Sequence, residues 1–353
     1  MKNKIIMIAP TPFFSDRGCH IRVLNSYLRL KREGNEIILL TYSLGRNLEG
    51  LNIKRIPSLP GYKKLDPGFS LYKPFLDLFL LIYLEYYYLR YRPTMLYCHL
   101  HEGALAGIMV KGLFRKVKII FDSQGSLSGE LVSNGTVKNG LLIKILNSIE
   151  LFLVKHSNIV ITSTKGLKKR YESMVPGKKL EVEPDYPDKS LFNPQVLPIE
   201  LEKGTLPQQK IVAYLGGLKR NKGIGYLLDS IVHTSGNIHF LLMGYPLDEV
   251  GNSLKEMGIE DRVTLIGPIP YEKAASYLKL ADAAVSPKVL SESGEANAKL
   301  YIYDAVGLPV VCFDSKENRE VLNNRGFFAK EKDPVDLALK IEMACGISKR
   351  AKK

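Results

Sequence analysis

From Lys4 to Ala9 the chain is apolar without alternation, and Ile5-Ile6-Met7-Ile8 has the continuous pattern of a strand covered on both faces. The loop Pro10-Thr11-Pro12-Phe13-Phe14-Ser15-Asp16-Arg17-Gly18 separates it from a helix predicted over residues 19–32, and a second strand is expected at Glu36 to Tyr42. Short apolar runs at 95–98, 118–122 and 158–162 lie between helical stretches at 103–115 and 140–156, the alternation of a parallel sheet. Between Asp185 and Gly204 periodicity fades, and Pro187, Pro194 and Pro198 punctuate the chain as in a linker. A second series then predicts strands at Lys210–Tyr214, His239–Met243, Val263–Ile266, Ala283–Ser286 and Pro309–Phe313, with helices at 223–231, 271–280, 295–306 and 317–323. A closing amphipathic stretch, Asp333 to Cys345, is expected to complete this series or to pack back on the first. The expected architecture is α/β, with Rossmann-like domains at 1–195 and 205–353 facing across a cleft where the carboxyl ends of both sheets hold ligand.

One segment departs from this rhythm. Phe75 to Leu89 is the longest apolar stretch, interrupted by Asp77 and Glu85, and it falls short of the roughly 20 apolar residues of a membrane span. Lys63, Lys64 and Lys73 precede it, Arg90 and Arg92 follow it, and Tyr83, Tyr86, Tyr87 and Tyr88 lie within it, so it reads either as a helix buried on a sheet or as an interfacial helix.

Composition, at 45% apolar and 24% charged, excludes disorder and a small disulfide scaffold. Cys19, Cys98, Cys312 and Cys345 have no metal-ligand spacing, and with no signal peptide before the first apolar run a cytoplasmic protein with reduced thiols is expected. The net charge of +14 is uneven: residues 1–200 hold 29 Lys/Arg against 17 Asp/Glu, while residues 201–353 hold 21 against 19. The first half therefore suits a polyanionic partner, or simply has a basic solvated surface. Nucleic acid is not expected, since no zinc-finger spacing, RNP pattern or basic zipper is present.

Two motifs carry chemistry. In Tyr214-Leu215-Gly216-Gly217-Leu218-Lys219-Arg220-Asn221-Lys222-Gly223 a strand enters a glycine turn, a basic group and a helix start, an arrangement that binds phosphate or merely turns the chain. In Ser291-Glu292-Ser293-Gly294-Glu295-Ala296-Asn297-Ala298-Lys299-Leu300 a polar loop opens a helix that Gly307-Leu308-Pro309 closes, so Glu295 accepts from sugar hydroxyls or only caps the helix.

The two-domain plan, the Lys222-Gly223 turn, the acidic loop and Gly307-Leu308-Pro309-Val310-Val311 resemble glycosyltransferase family 4, the retaining nucleotide-sugar enzymes of the GT-B fold. Pro10 to Gly18 resembles the family's first-domain glycine loop, His99-Leu100-His101-Glu102-Gly103 its His-bearing segment, and Val263 to Gly267 with the helix ending in Ala281-Asp282 also fit. The resemblance implies that Lys222 and Arg220 bind a donor diphosphate, that Glu295 and Asn297 contact the donor sugar or ribose, and that His101 sits at the reaction centre. It puts Gly18, Gly216, Gly217, Ala296 and Lys299 on the donor side and His99, Glu102 and Asp122 on the acceptor side, with His101, Glu295 and Lys222 catalytic. A histidine beside a glutamate is also a common structural pair. Gly217 stands where the family commonly has arginine, Ile302 where its second glutamate is expected, and Tyr186 where a glycine is usual.

The implied reaction needs no cofactor or metal: a nucleotide diphosphate sugar is the co-substrate, and the basic group with the helix start meets the leaving charge. The expected acceptor is a glycan or a lipid-linked glycan of cell-surface polysaccharide or glycolipid synthesis. An anionic membrane, at the inner face of the cell membrane, is a further expected partner. A nucleotide-sugar-binding pseudoenzyme and a nucleotide-sugar 2-epimerase fit the same residues.

Overall fold

The computed structural model describes residues 3–15, 17–65, 70–114, 116–133, 137, 139–200, 209–289 and 296–346; of these, the residues up to Pro184 together with Ala296 form one unit, and those from Asp185 on, Ala296 excepted, form the second. In chain order the first unit holds β1 (Lys4–Ala9), α1 (Gly18–Arg32), β2 (Glu36–Thr41), β3 (Ile53–Arg55), α2 (Lys73–Tyr91), β4 (Met95–His99) and α3 (Leu100–Phe114). It continues with β5 (Lys118–Ser123), α4 (Leu127–Ser133), α5 (Gly140–His156), β6 (Ile159–Thr162), α6 (Lys165–Met174) and β7 (Leu180–Val182). All seven strands are parallel, in the order β3-β2-β1-β4-β5-β6-β7. Central β1 is buried from Ile5 to Ala9, as its uninterrupted apolar run requires of a strand with helices over both faces.

On one face Ile6, Ile8, Ile38, Leu96, Ile119 and Phe121 form a core with α2, α3 and α5. Here the long apolar stretch is a helix of nineteen residues that buries Leu76, Leu80 and Leu84, one turn apart, while Phe75, Leu78, Ile82, Tyr86 and Leu89 are exposed. It is thus a sheet-covering helix whose outer side is also apolar.

The second unit holds β8 (Lys210–Leu215), a 3₁₀ turn (Arg220–Lys222), α7 (Ile224–His233), β9 (Ile238–Met243), α8 (Asp248–Met257) and β10 (Val263–Ile266). It ends with α9 (Ala274–Leu278), β11 (Ala283–Ser286), α10 (Ala298–Val306), β12 (Val310–Phe313), α11 (Lys316–Val321), β13 (Phe327–Ala329) and α12 (Pro334–Ala344). Its six strands are parallel in the order β10-β9-β8-β11-β12-β13.

Several expectations are corrected. The boundary lies at Asp185, not after residue 195, because Phe192 packs at a tilt against Tyr271 with ring centres 5.0 Å apart, Pro194 covers Gly307 and the Ile199 N–H donates to the Ser276 carbonyl at 3.1 Å. The prolines that remove periodicity thus flank side chains anchored in the second unit. The closing helix completes this unit: Leu337 and Ile341 of α12 are fully buried beside α7, β12 and β13, and Glu342 accepts from the Ser235 N–H at 2.9 Å. The helix predicted from 223 starts at Ile224, after the 3₁₀ turn, and the one predicted over 271–280 is a 3₁₀ turn followed by the short α9. Edge strands β3, β7 and β13 and helices α4, α6 and α8 add to the predicted set.

Truncating Leu84 to Ala, which empties a fully buried site on α2, is expected to cost about 2–5 kcal/mol. Leu78→Ala on the exposed side of the same helix should change stability by no more than about 0.5 kcal/mol. Thermal unfolding followed by circular dichroism checks the contrast.

Candidate active site

In the first unit the predicted residues gather at the carboxyl ends of β4 and β5. His99 and Asp122 are register partners at these strand ends, and both are fully buried. Arg22 of α1 donates through Nε to both oxygens of Asp122, at 2.9 and 3.0 Å, while an NH group holds the Glu183 carbonyl at 2.7 Å. The His99 ring lies with Nδ1 2.8 Å from Asp122 Oδ2, so Nδ1–H donates to the carboxylate. Burial by itself raises the Asp122 carboxyl, but the Arg22 charge and the His99 hydrogen bond outweigh it and hold it far below the carboxylate range. His99 Nε2 is buried and without a hydrogen-bond partner among the described residues.

Leu100 then takes φ +62°, a left-handed backbone that costs a leucine on the order of 1–2 kcal/mol. This sharp turn from β4 into α3 brings His101 onto the first turn of the helix, nearly buried, with Nε2 3.5 Å from Glu150 Oε1. Glu150, on α5, is itself fully buried: Oε1 accepts from the Leu127 N–H and the Tyr171 hydroxyl, each at 2.9 Å, and Oε2 accepts from Arg170 at 2.9 Å. Burial pushes this carboxyl up, yet the contact and charge of His101, the Leu127 N–H and Arg170 hold it down to about 2. The glutamate next to His101 in sequence is not its partner; Glu102 pairs with Lys73 at the start of α2.

At the end of β1 the Ser15 N–H donates to His20 Nδ1 at 2.9 Å, which leaves Nε2–H to donate to Thr11 Oγ1 at 2.7 Å. Burial, then the charges of Arg17 and Arg55, push the His20 imidazolium well down and keep the ring neutral. Gly18 opens α1, with nothing within 4 Å of where a Cβ would stand.

In the second unit the glycine turn is built backbone against backbone. Gly223 joins the 3₁₀ turn to α7 at φ +82°, and a Cβ there would lie 1.9 Å from the Pro287 carbonyl oxygen. Gly244, after β9, has φ +153°, and its Cβ would meet the Gly216 carbonyl oxygen at 1.9 Å. Only glycine fits either place. Tyr214 donates its hydroxyl to the Gly217 carbonyl at 2.7 Å and accepts from Lys299 Nζ at 3.1 Å, and the Lys299 ammonium lies 4.5 Å from the Tyr214 ring centre. Lys299 is thereby drawn from α10 onto the turn that carries Arg220 and Lys222. Asn297, at the start of α10, accepts from Ser286 at 2.8 Å, and its buried Nδ2 has no partner among the described residues. Gly216, Gly217, Arg220, Lys222, Asn297 and Lys299 thus share the carboxyl ends of β8 and β11, with Ala296 just before α10. Glu295 lies outside the described residues. Tyr186 packs edge-on against Tyr301 at 5.0 Å, and Ile302 follows on α10.

Sequence alone passed over Arg22, Glu150, Arg170, His20 and Tyr214. Tyr214 stands inside the quoted turn motif and was within reach. Glu150 is the one carboxylate of α5 and Arg22 one of several cations of α1, and only the fold shows that they point inward.

Two Rossmann-like units of parallel sheets define the GT-B architecture, and solved structures share it. The sucrose-phosphate synthase of Thermosynechococcus elongatus matches with a TM-score of 0.78 at 18% identity, covering 98% of this chain and 90% of its own. The catalytic domain of starch synthase IV from Arabidopsis thaliana, bound to ADP and acarbose, matches at 0.73 with 14% identity, covering 100% and 93%. Anabaena Alr3699/HepE, in complex with UDP and glucose, matches at 0.71 with 13% identity, covering 97% and 89%. No curated protein matches the sequence. Residues 209–345, the body of the second unit, match the family described as glycosyl transferases group 1. The likeness to solved structures is one of fold, the GT-B fold, and the family match is confined to the second unit.

Because the folded Glu150 carboxyl ionises at about 2, the stability it contributes is complete above its ordinary value of 4.5 and is lost as the pH falls toward about 2. That is about 3 kcal/mol. Asp77, pushed up to about 6 chiefly by burial, acts in the opposite sense, so the wild type alone gives a mixed acid limb. Glu150→Gln should lower the melting temperature at neutral pH and flatten its dependence between about pH 5 and 2. Melting curves across that range measure both.

Proposed function

We propose that the protein transfers a sugar from a nucleoside diphosphate sugar to an acceptor hydroxyl with retention at the anomeric carbon. The observation that carries this reading is the second unit's glycine turn, closed to any Cβ at Gly223 and bearing Arg220 and Lys222, with Lys299 laid against it. Backbone N–H groups at the start of α7 and these cations suit a diphosphate, whose charge grows as it leaves. In the reaction the anomeric C–O bond to the diphosphate breaks, a new C–O bond to the acceptor oxygen forms, and the acceptor's proton leaves with the diphosphate. Lys222, supported by Arg220, neutralises the leaving group, so that no metal ion is required. Glu295, Ala296 and Asn297 bind the donor's sugar or ribose, Asn297 through its unpartnered Nδ2.

His101 contacts the sugar or acceptor, and Glu150 is its positioning residue. His99 and Asp122, buried on the acceptor side, set the backbone that carries His101, and Gly18, at the opening of α1, is assigned to donor binding. Similar folds are solved with UDP and glucose, UDP-glucose, or ADP and acarbose, which supports a nucleotide-sugar donor and a glycan acceptor.

A thermal-shift screen against UDP-, GDP- and ADP-sugars, followed by measurement of nucleoside diphosphate release, tests the reading. The right donor at about a hundred times its Kd should stabilise the chain by about 2.7 kcal/mol. Lys222→Ala should lower kcat by about 10²–10³ and His101→Ala by about 10²–10⁴. Gly223→Ala should abolish donor binding. Stabilisation without release, even with acceptors present, identifies a binding protein, whereas hydrolysis-type products without any acceptor identify an epimerase.

A further inference from the structure

The helices α2, α3 and α5 lie side by side on one face of the first unit's sheet, and their outer sides are apolar. On α2, Phe75, Leu78, Ile82, Tyr86 and Leu89 are 50–59% exposed. Leu105, Met109 and Leu113 repeat every turn on α3, and Leu142, Ile145, Ile149 and Phe152 follow the helical period on α5. By contrast α1 buries Val23, Leu24, Tyr27 and Leu30 and turns Lys31 and Arg32 to solvent. Twelve large apolar side chains, each 40–66% exposed on three neighbouring helices, are unlike the singly scattered apolar residues normal on a monomer's surface.

Carboxylates on this face are few and mostly engaged. Three of the four carboxylates on these helices are held by neighbours: Asp77 by Tyr42, Glu102 by Lys73, and Glu150 by Arg170 and Tyr171. Only Glu85 remains. Crossover helices of a parallel sheet all run the same way, so their carboxyl ends share one edge of the unit. Exposed Arg90, Arg92, Lys116, Lys118 and Lys155 lie along that edge.

From this we infer that the α2–α3–α5 face docks the first unit on an anionic lipid bilayer, with apolar side chains entering the acyl boundary and the cationic edge meeting lipid phosphate. A broad apolar field with a cationic border and few carboxylates is the composition of an interfacial anchor. Each basic side chain near such a surface contributes about 1 kcal/mol. No described helix is long and apolar enough to cross a membrane, so the face lies on the bilayer. The inference is independent of the sugar transferred, and the assay needs no donor.

Co-sedimentation with vesicles of phosphatidylglycerol and phosphatidylcholine, against phosphatidylcholine alone, at low and high salt, tests it. The wild type should bind the anionic vesicles at least about tenfold more tightly, and less so in high salt. Leu78→Ser/Leu113→Ser/Ile145→Ser should keep the melting temperature and nucleotide-sugar binding but lose that affinity by tenfold or more. Arg90→Gln/Lys155→Gln should weaken binding and reduce its salt dependence. Equal binding by the triple variant, or no vesicle binding by the wild type, overturns the inference. A concentration-dependent dimer that binds no vesicles and is dispersed by the triple variant also overturns it and makes the face a contact between copies.

Discussion

A carboxylate sealed from water must be compensated where it stands, and Asp122 imposes that demand on the first unit. Desolvating an ion costs several kcal/mol, offset only by close pairing, and removing one partner of such a pair typically costs about 3–5 kcal/mol. Arg22 reaches it from α1, His99 from β4, and the same arginine holds the Glu183 carbonyl beyond β7. One charge thereby fixes four parts of the chain at the carboxyl ends of the sheet. Arg29, one face along α1, adds a second tie to Glu183 at 2.9 Å. The strained Leu100 sits in the middle of this clamp, which is how an unfavourable φ survives where the chain must turn at once from His99 to His101.

The central strands β1, β2, β4, β5, β8, β9 and β11 are legible in the sequence because burial on two faces leaves an unbroken apolar signature. Of the edge strands β10 keeps it in Val263-Thr264-Leu265-Ile266, and β3 and β7 lose it. Ile53–Arg55 and Leu180–Val182 are three residues long with one or two apolar side chains, and pairing with a neighbour makes them strands. Helix α6 is nearly as cryptic, since only Leu167 and Tyr171 of its ten residues are buried. The acid network was legible only in halves: His99, His101 and Asp122 mark strand ends, whereas Glu150 lies in an apolar helix where a single carboxylate reads as solvated. The second unit's glycine turn was the most readable part, because a turn that tolerates only glycine writes its geometry directly into residue identity.

Helix α5 joins the two regions of chemical interest in the first unit. Its inner side carries Glu150 to His101, and its outer side presents Ile145 and Ile149. A seventeen-residue helix capped at Asn139 is rigid enough to keep both sides in register.

The backbone contacts of Gly223 and Gly244 also bear on heredity. Every amino-acid replacement reachable by a single-base change from a glycine codon adds a Cβ, and at these two positions that atom meets a carbonyl oxygen at 1.9 Å. Neither position has a tolerated one-step amino-acid replacement in the genetic code, so a lineage that keeps this fold must keep glycine at both, whatever synonymous codon it uses.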